Sequence, residues 1–274
     1  MLIDTHCHLD ATEFNLDRLD VVERAGERGI SGIVIPAVSR SNFGAVRVLA
    51  HSFKGGSYAL GIHPICMREA QEDDLAELAR QIERSLDDPR FVAIGEIGLD
   101  FFVPELAEPD VRAKQEAFYS AQLDLAEQYA LPVLLHVRRS QDIVLKHLRK
   151  RRPIGGIAHA FNGSFQQAQQ FVDHGFALGF GGAMTYTRAR QIRRLAEQLP
   201  LDALVLETDA PDIPPAWLGE PKGPPVRNEP GEVARIAQVL AELRNLPRGD
   251  VVRATGANAL RVLPRLAAAR RAAA

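Results

Sequence analysis

The sequence predicts an α/β protein built as a single (β/α)8 barrel, with a metal site at the C-terminal ends of its strands. Three observations predict it. Eight short apolar, β-branched runs alternate with amphipathic segments of helical period, the pattern of parallel βαβ units. No linker or composition break divides the 274 residues, and about 250 residues is the usual size of one such barrel. Histidines and carboxylates recur where those apolar runs end, the rim on which such barrels carry their chemistry.

The elements follow in order. Leu2-Ile3-Asp4 opens the first strand, which runs into Thr5-His6-Cys7-His8. Side chains alternate along a strand, so His6 and His8 project to one side and Cys7 to the other. Leu16 to Arg28 reads as a helix, with Leu16, Leu19, Val21 and Val22 near its apolar face and Gly29 as its stop. Strand two is Ile30–Pro36, followed by a helix over 41–51. Strand three is Ser57–His63, followed by a helix over 73–86. Strand four, Phe91–Ile97, carries Glu96 and leads into Gly98-Leu99-Asp100. A long helix over 109–129 precedes strand five, Pro132–Val137, with His136 near its end. A basic helix over 140–150 leads to strand six, Ile154–His159; a helix over 164–174 leads to strand seven, Phe176–Phe180. A helix over 188–198 precedes strand eight, Ala203–Glu207, which meets Thr208-Asp209. A Pro-rich loop spans Pro211–Pro230, and two helices over 231–244 and 248–262 close the domain, set at 1–266. The Ala/Arg tail, 267–274, is expected to fray. An open doubly wound sheet would carry a Gly-rich turn after its first strand, and here that turn is His6-Cys7-His8-Leu9-Asp10.

Composition narrows the function. The chain is 46% hydrophobic and 25% charged, with net charge −2, so no global basic field exists and a polyanion would need a local patch. Two cysteines make no disulfide framework and suit a reducing compartment. With neither a signal peptide nor a run of about 20 apolar residues, the expectation is a cytoplasmic protein, and a monomer.

Of the eight histidines, His6, His8, His63, His136 and His159 sit at strand ends, with Glu96 and Asp209 beside them. The other three, His51, His147 and His174, fall in or at the ends of helices and read as solvated or capping groups. Buried ionisable groups need partners, and metal ions supply them. Seven donors exceed the three or four of one zinc-like site, and a carboxylate can bridge two ions. The assignment is His6, His8 and Asp209 on one metal, His136 and His159 on the other, and Glu96 bridging, with Asp209 also taking the proton of an attacking water. His63 remains as a substrate or phosphate contact, or an acid assisting the leaving group. Glu207 orients a ligand or packs in the barrel mouth, or makes a plain salt bridge.

The motifs D-T-H-C-H-L-D (4–10), G-I-H-P (61–64), G-E-I-G-L-D (95–100), L-P-V-L-L-H-V-R (131–138), H-A-F-N-G-S (159–164) and L-E-T-D-A-P (206–211) resemble, in order and spacing, the TatD family of metal-dependent deoxyribonucleases. The resemblance runs from residue 2 to about 263. It implies a TIM-barrel metallohydrolase of DNA phosphodiesters, often described as a magnesium-dependent 3′–5′ exonuclease. It also implies His6, His8, Glu96, His136, His159 and Asp209 as ligands, and His63 on the substrate side. The segment Phe101-Phe102-Val103 and the first half of the loop over 219–230 depart from the family pattern. Substrate preference rests on those loops.

Loops leaving the strands line the active face. They carry Arg40, Arg68, Arg138, Arg139, Arg188, Arg190, Lys222 and Arg227, with Arg138, two residues after His136, the first candidate for a phosphate. Phe101, Phe102, Phe161, Tyr186 and Trp217 lie on the same loops, and unpaired bases stack on such rings; Trp217 is the first to test. The basic run over 146–152 precedes strand six, on the opposite face, and reads as a solvated helix end. The mouth is narrow for duplex, so single strands or frayed ends are the expected DNA substrate. The cofactors are two divalent ions (Mg, Mn or Zn). Two other readings stand: an amidohydrolase-like enzyme on a small-molecule or tRNA-linked ester or amide, and a non-catalytic metal-binding module.

Overall fold

A computed structural model describes residues 1–151, 155–219 and 226–272. The eight parallel strands follow sequence order around one sheet: β1 (Leu2–Asp4), β2 (Ile30–Pro36), β3 (Gly56–Leu60), β4 (Phe91–Asp100), β5 (Val133–Arg138), β6 (Gly156–Ala158), β7 (Phe176–Phe180) and β8 (Leu204–Leu206). Backbone bonds complete the ring between β8 and β1: Thr5 N donates to Leu206 O (3.1 Å), Asp209 N to His6 O (2.9 Å) and His8 N to Ala210 O (2.8 Å). The barrel expected from the alternation is the one observed. Between strands lie α1 (Arg18–Glu27), α2 (Phe43–His51), α3 (Glu72–Ser85), α4 (Pro109–Gln128), α5 (Gln141–Leu148), α6 (Phe165–Asp173) and α7 (Arg190–Gln198); after β8 come α8 (Val233–Arg244), α9 (Arg248–Val262) and α10 (Arg265–Ala272).

Two apolar layers follow from strand alternation. One lies between the sheet and its helices and includes Phe91, Phe171 and Leu204. The other takes one residue from each strand, Ile3, Val34, Ala59, Val92, Leu134, Ile157, Ala177 and Val205, and packs them with Val262, Leu263 and Leu266. That second layer fills the N-terminal end of the barrel. Gly98 (φ 146°) permits the closest passage of β4 by β5, since a Cβ there would strike the His136 carbonyl.

Two local expectations fail. Leu16 and Leu19 are exposed, because the chain first makes a short 3-10 turn that buries Phe14, and α1 then buries Val21 and Ala25. The guanidinium of Arg18 folds back to the carbonyls of Leu9 and Asp10, so the helix starts two residues late. The tail expected to fray from Ala267 is helical to Ala272, because Leu266 and Ala269 are buried against the barrel floor. Arg152, the start of the strand-six reading at Ile154, and Lys222 lie outside the described residues.

Candidate metal centre

The rim is built from strand ends. As alternation predicts, the His6 and His8 rings converge, their Nε2 atoms 3.3 Å apart, while Cys7 is buried behind them and its backbone bridges to Ala210. Glu96, fully buried in the middle of β4, which runs on past it to Asp100, lies at the centre. Its Oε2 is 3.0 Å from His6 Nε2 and 3.3 Å from His8 Nε2. Its Oε1 is 2.9 Å from His159 Nε2, 3.0 Å from His136 Nδ1 and 3.2 Å from His63 Nε2. Asp209 Oδ1 stands 3.6 Å from His6 Nε2 and 3.5 Å from His8 Nε2. Its φ of 58° is a left-handed conformation that Asp tolerates better than most residues, and it turns the carboxylate into the mouth.

The donors form three overlapping groups: His6 with His8 and Asp209; His6 with Glu96 and His159; His63 with Glu96 and His136. The first brings together the three residues assigned to one metal from the sequence. In the others His159 meets Glu96 beside His6, with its Nε2 also 3.4 Å from His136 Nδ1, and His63 joins His136 at the cluster itself. Glu96 takes part in two groups, as a bridging carboxylate would.

Electrostatics show what the cluster favours. Burial, with His159 adding, pushes His6 down to about 3, and burial pushes His63 down to about 4, so both rings are neutral donors of lone pairs. Burial also opposes protonation of His8 and His159, but Glu96 and Asp209 outweigh it and raise them to about 9 and about 10. Glu96 is held well below the carboxylate range: burial opposes its charge, but the surrounding histidines dominate. Burial raises Asp209. The carboxylates thus draw positive charge into a buried space where ring nitrogens crowd together. Divalent cations supply that charge and use the lone pairs, so imidazole and carboxylate at this spacing fit metal ions.

Residues beneath the donors fix their aim. Asp100 Oδ2 accepts from His136 Nε2 (3.1 Å), and its carboxyl, although burial opposes it, is held at about 2 by that contact and by the amides of Phe102 and Val103. Asp4, fully buried, accepts from the His6 amide (3.2 Å), the Thr208 amide (2.9 Å) and the Thr208 hydroxyl (2.5 Å), tying the ends of β1 and β8 together. Neither role was read from sequence, although Asp4 shares the parity of His6 and His8, and Asp100 closes the Gly98-Leu99-Asp100 run. Glu207 accepts from the Ala160 amide and lies 3.8 Å from His159 Nδ1, beneath the cluster as expected; burial pushes it up to about 7. A Cβ at Gly179 would occupy its carboxylate's place.

The cluster floors a cleft of about 970 Å³, lined also by Asp10, Glu13, Phe102, Arg138, Arg139 and Asp212. Arg138 lines it, its exposed guanidinium 3.7 Å from Asp100 Oδ2. Trp217 does not: its indole donates to Glu232 (2.6 Å) and lies under Arg235, on the flank of the barrel. Three other active-face arginines are engaged elsewhere. Arg227 pairs with Asp17 and Glu229 (2.7 Å each), Arg40 with Asp73 (2.8 Å), and Arg68 with Glu108 (3.1 Å).

The model of the TatD-related DNase family matches residues 3–264. The chain belongs to that family. TatD relatives include an uncharacterised metal-dependent hydrolase of Escherichia coli, YjjV, which is 40% identical across 92% of this chain and 93% of its own. Its crystal structure superposes with a TM-score of 0.88, covering 96% of this chain and 98% of that one, at 38% identity. The 3′–5′ ssDNA/RNA exonuclease TatD of Erwinia billingiae is 35% identical over 94% of this chain and 97% of its own. The human deoxyribonuclease TATDN3 is 30% identical over 97% and 95%. This TatD chain is therefore a metal-dependent hydrolase of the ester-cleaving class. Among its described residues, no helix is long and apolar enough to cross a membrane.

Proposed function

We propose that this protein hydrolyses the phosphodiester bonds of DNA, removing nucleotides in the 3′–5′ direction from single-stranded or frayed ends. The free thiols of Cys7 and Cys66 suit a reducing compartment, so the proposed setting is the cytoplasm, with the protein acting as a monomer. The observation that carries the proposal is Glu96, with five imidazoles around one carboxylate on the floor of a cleft whose side wall bears Arg138 and Arg139. Relatives named as a deoxyribonuclease and as a 3′–5′ exonuclease, matched along nearly the whole chain, support the substrate.

In this reading His6, His8, Glu96, His136, His159 and Asp209 would hold two divalent ions (Mg, Mn or Zn), with Glu96 shared between them. Bound ions lower the pKa of water toward neutrality and neutralise a phosphate's charge. The chain's own side chains do the rest. Asp209, raised by burial, accepts a proton from the attacking water. His63 faces the leaving group from the rim of the cluster, its Nδ1 already engaged by the Ile65 amide (3.0 Å), which leaves Nε2 for the site. Arg138 holds the phosphate in register. The test is release of nucleotides from end-labelled single-stranded DNA by metal-stripped protein given back Zn, Mn or Mg. A ladder that needs both metal and Glu96 supports the proposal. Folded, ion-binding protein that cuts no DNA, but opens a small-molecule or tRNA-linked ester, would replace the substrate.

A further inference from the structure

The walls of the cleft are not alike. In an eight-stranded ring β4 and β5 stand across from β8 and β1. The loops leaving β4 and β5 bring Phe102, Arg138 and Arg139; those leaving β8 and β1 bring Asp212, Asp10 and Glu13. One wall is aromatic and cationic, and the opposite wall is acidic.

Phe102 is a large apolar side chain that burial alone would not place here. It is 44% exposed and lines the cleft. Of the five active-face aromatics named from sequence, the others are spent elsewhere. Phe161 is buried, Phe101 lies under Arg112, the Tyr186 hydroxyl donates to the Pro214 carbonyl, and Trp217 sits on the flank. Two guanidinium groups crowd Phe102, with Arg138 Cζ 4.0 Å and Arg139 Cζ 4.6 Å from its centroid. Arg139 reaches it from a left-handed backbone position (φ 55°), which turns its side chain back toward the site. The ring is also held by the machinery beneath it. Asp100 Oδ1 accepts from the Phe102 amide (2.8 Å) and the Val103 amide (3.2 Å), while Oδ2 of the same carboxylate accepts from His136. One side chain thus sets the ring's position relative to the metal centre.

We infer that Phe102, Arg138 and Arg139 form a nucleotide clamp beside the scissile bond: an unpaired base stacks on Phe102, and the two arginines hold the flanking phosphates. The inference rests on the nucleic-acid reading above and adds to it the direction of the strand. The chain enters over β4 and β5 and ends against the acidic wall, where further phosphates would be repelled. Stacking needs an unpaired base, so the clamp also gives a physical reason for single-strand preference.

The test separates binding from cutting. Affinity of the zinc- or manganese-loaded protein is measured by fluorescence anisotropy on a labelled single-stranded phosphorothioate oligonucleotide, which resists hydrolysis. A matched series carries one abasic residue at successive positions from the end. One abasic position should weaken binding to the unaltered protein about tenfold. Phe102→Ala should show that loss on the intact oligonucleotide and no further loss at the abasic position, and Phe102→Tyr should restore the dependence. Arg139→Ala should reduce the salt slope of log K by about 0.7, the amount for one single-strand phosphate. Equal base dependence in Phe102→Ala and the unaltered protein would overturn the clamp, and so would absence of oligonucleotide binding. Phe102-dependent binding without cleavage of the natural linkage would uphold the clamp and overturn the hydrolytic reading. Thermal melts verify that each variant is folded.

Discussion

The two ends of the barrel are made from the same eight strands and obey opposite rules. At the N-terminal end, Leu263, Leu266 and Ala269 are buried against the strands, and the Arg265 guanidinium donates to the carbonyls of Leu86, Asp88 and Phe91. Asp88 there accepts from His51 (2.9 Å) and Tyr58 (2.9 Å). At the C-terminal end, ionisable groups crowd a buried space, and buried atoms such as His6 Nδ1, His159 Nδ1 and Glu207 Oε2 find no hydrogen-bond partner among the described residues. The first end closes the core; the second holds charge in readiness. Stability and chemistry are thus separated along the length of each strand, and a substitution should affect one or the other according to which end it touches.

The largest expected effect is at the rim. Glu96→Ala should lower turnover by about a thousandfold or more, roughly 4 kcal/mol of barrier, while circular dichroism still reports a folded barrel. Retained activity would remove Glu96 from the centre of the site. At the floor, Leu266→Ala should cost about 2–5 kcal/mol in denaturant unfolding and leave kcat unchanged. A change in kcat there would show that the two ends are coupled. Asp100→Asn tests the layer beneath the donors. It should cost about 10–100-fold in metal affinity or activity, with ion content by mass spectrometry falling in parallel.

A smaller effect separates the ends by pH. Burial works against the ionised Asp88 carboxyl, but hydrogen bonds from His51, the Arg90 amide and Tyr58 outweigh it and hold Asp88 below its usual range. Its contribution to stability is therefore fully present above the unfolded value of about 3.9 and is lost as pH falls through the folded value. Asp88→Asn should flatten the acid limb of the stability curve, and identical limbs in urea titrations would remove Asp88 from that account. The smallest effect on function is expected at Trp217. Trp217→Phe should leave KM for DNA within about twofold while losing about 1 kcal/mol of stability with the Glu232 hydrogen bond.

The clustering of histidines and carboxylates was legible because it is tied to local pattern. A histidine at the end of an apolar run must emerge on one rim once the runs are parallel, and His6 and His8 needed only the two-residue alternation of a strand. Asp4 and Asp100 were less legible, because their role lies in the partners they accept from: Thr208 is distant in sequence from Asp4, and His136 lies on the strand next to Asp100. Phe102 and Trp217 could not be ranked from sequence. Both are aromatics on active-face loops, and the choice between them depended on Glu232 and Arg235 claiming one and Arg138 and Arg139 flanking the other.

By itself, then, the sequence determined the alternation, the barrel and the rim on which the donors gather, because hydrophobic period and strand direction act over a few residues at a time. Tertiary structure decided how His63 and His159 group around Glu96, which arginines stay in the cleft, and that α10 plugs the floor instead of fraying. Those outcomes depend on side chains far apart in the chain competing for the same partners and the same buried space, which no local pattern records.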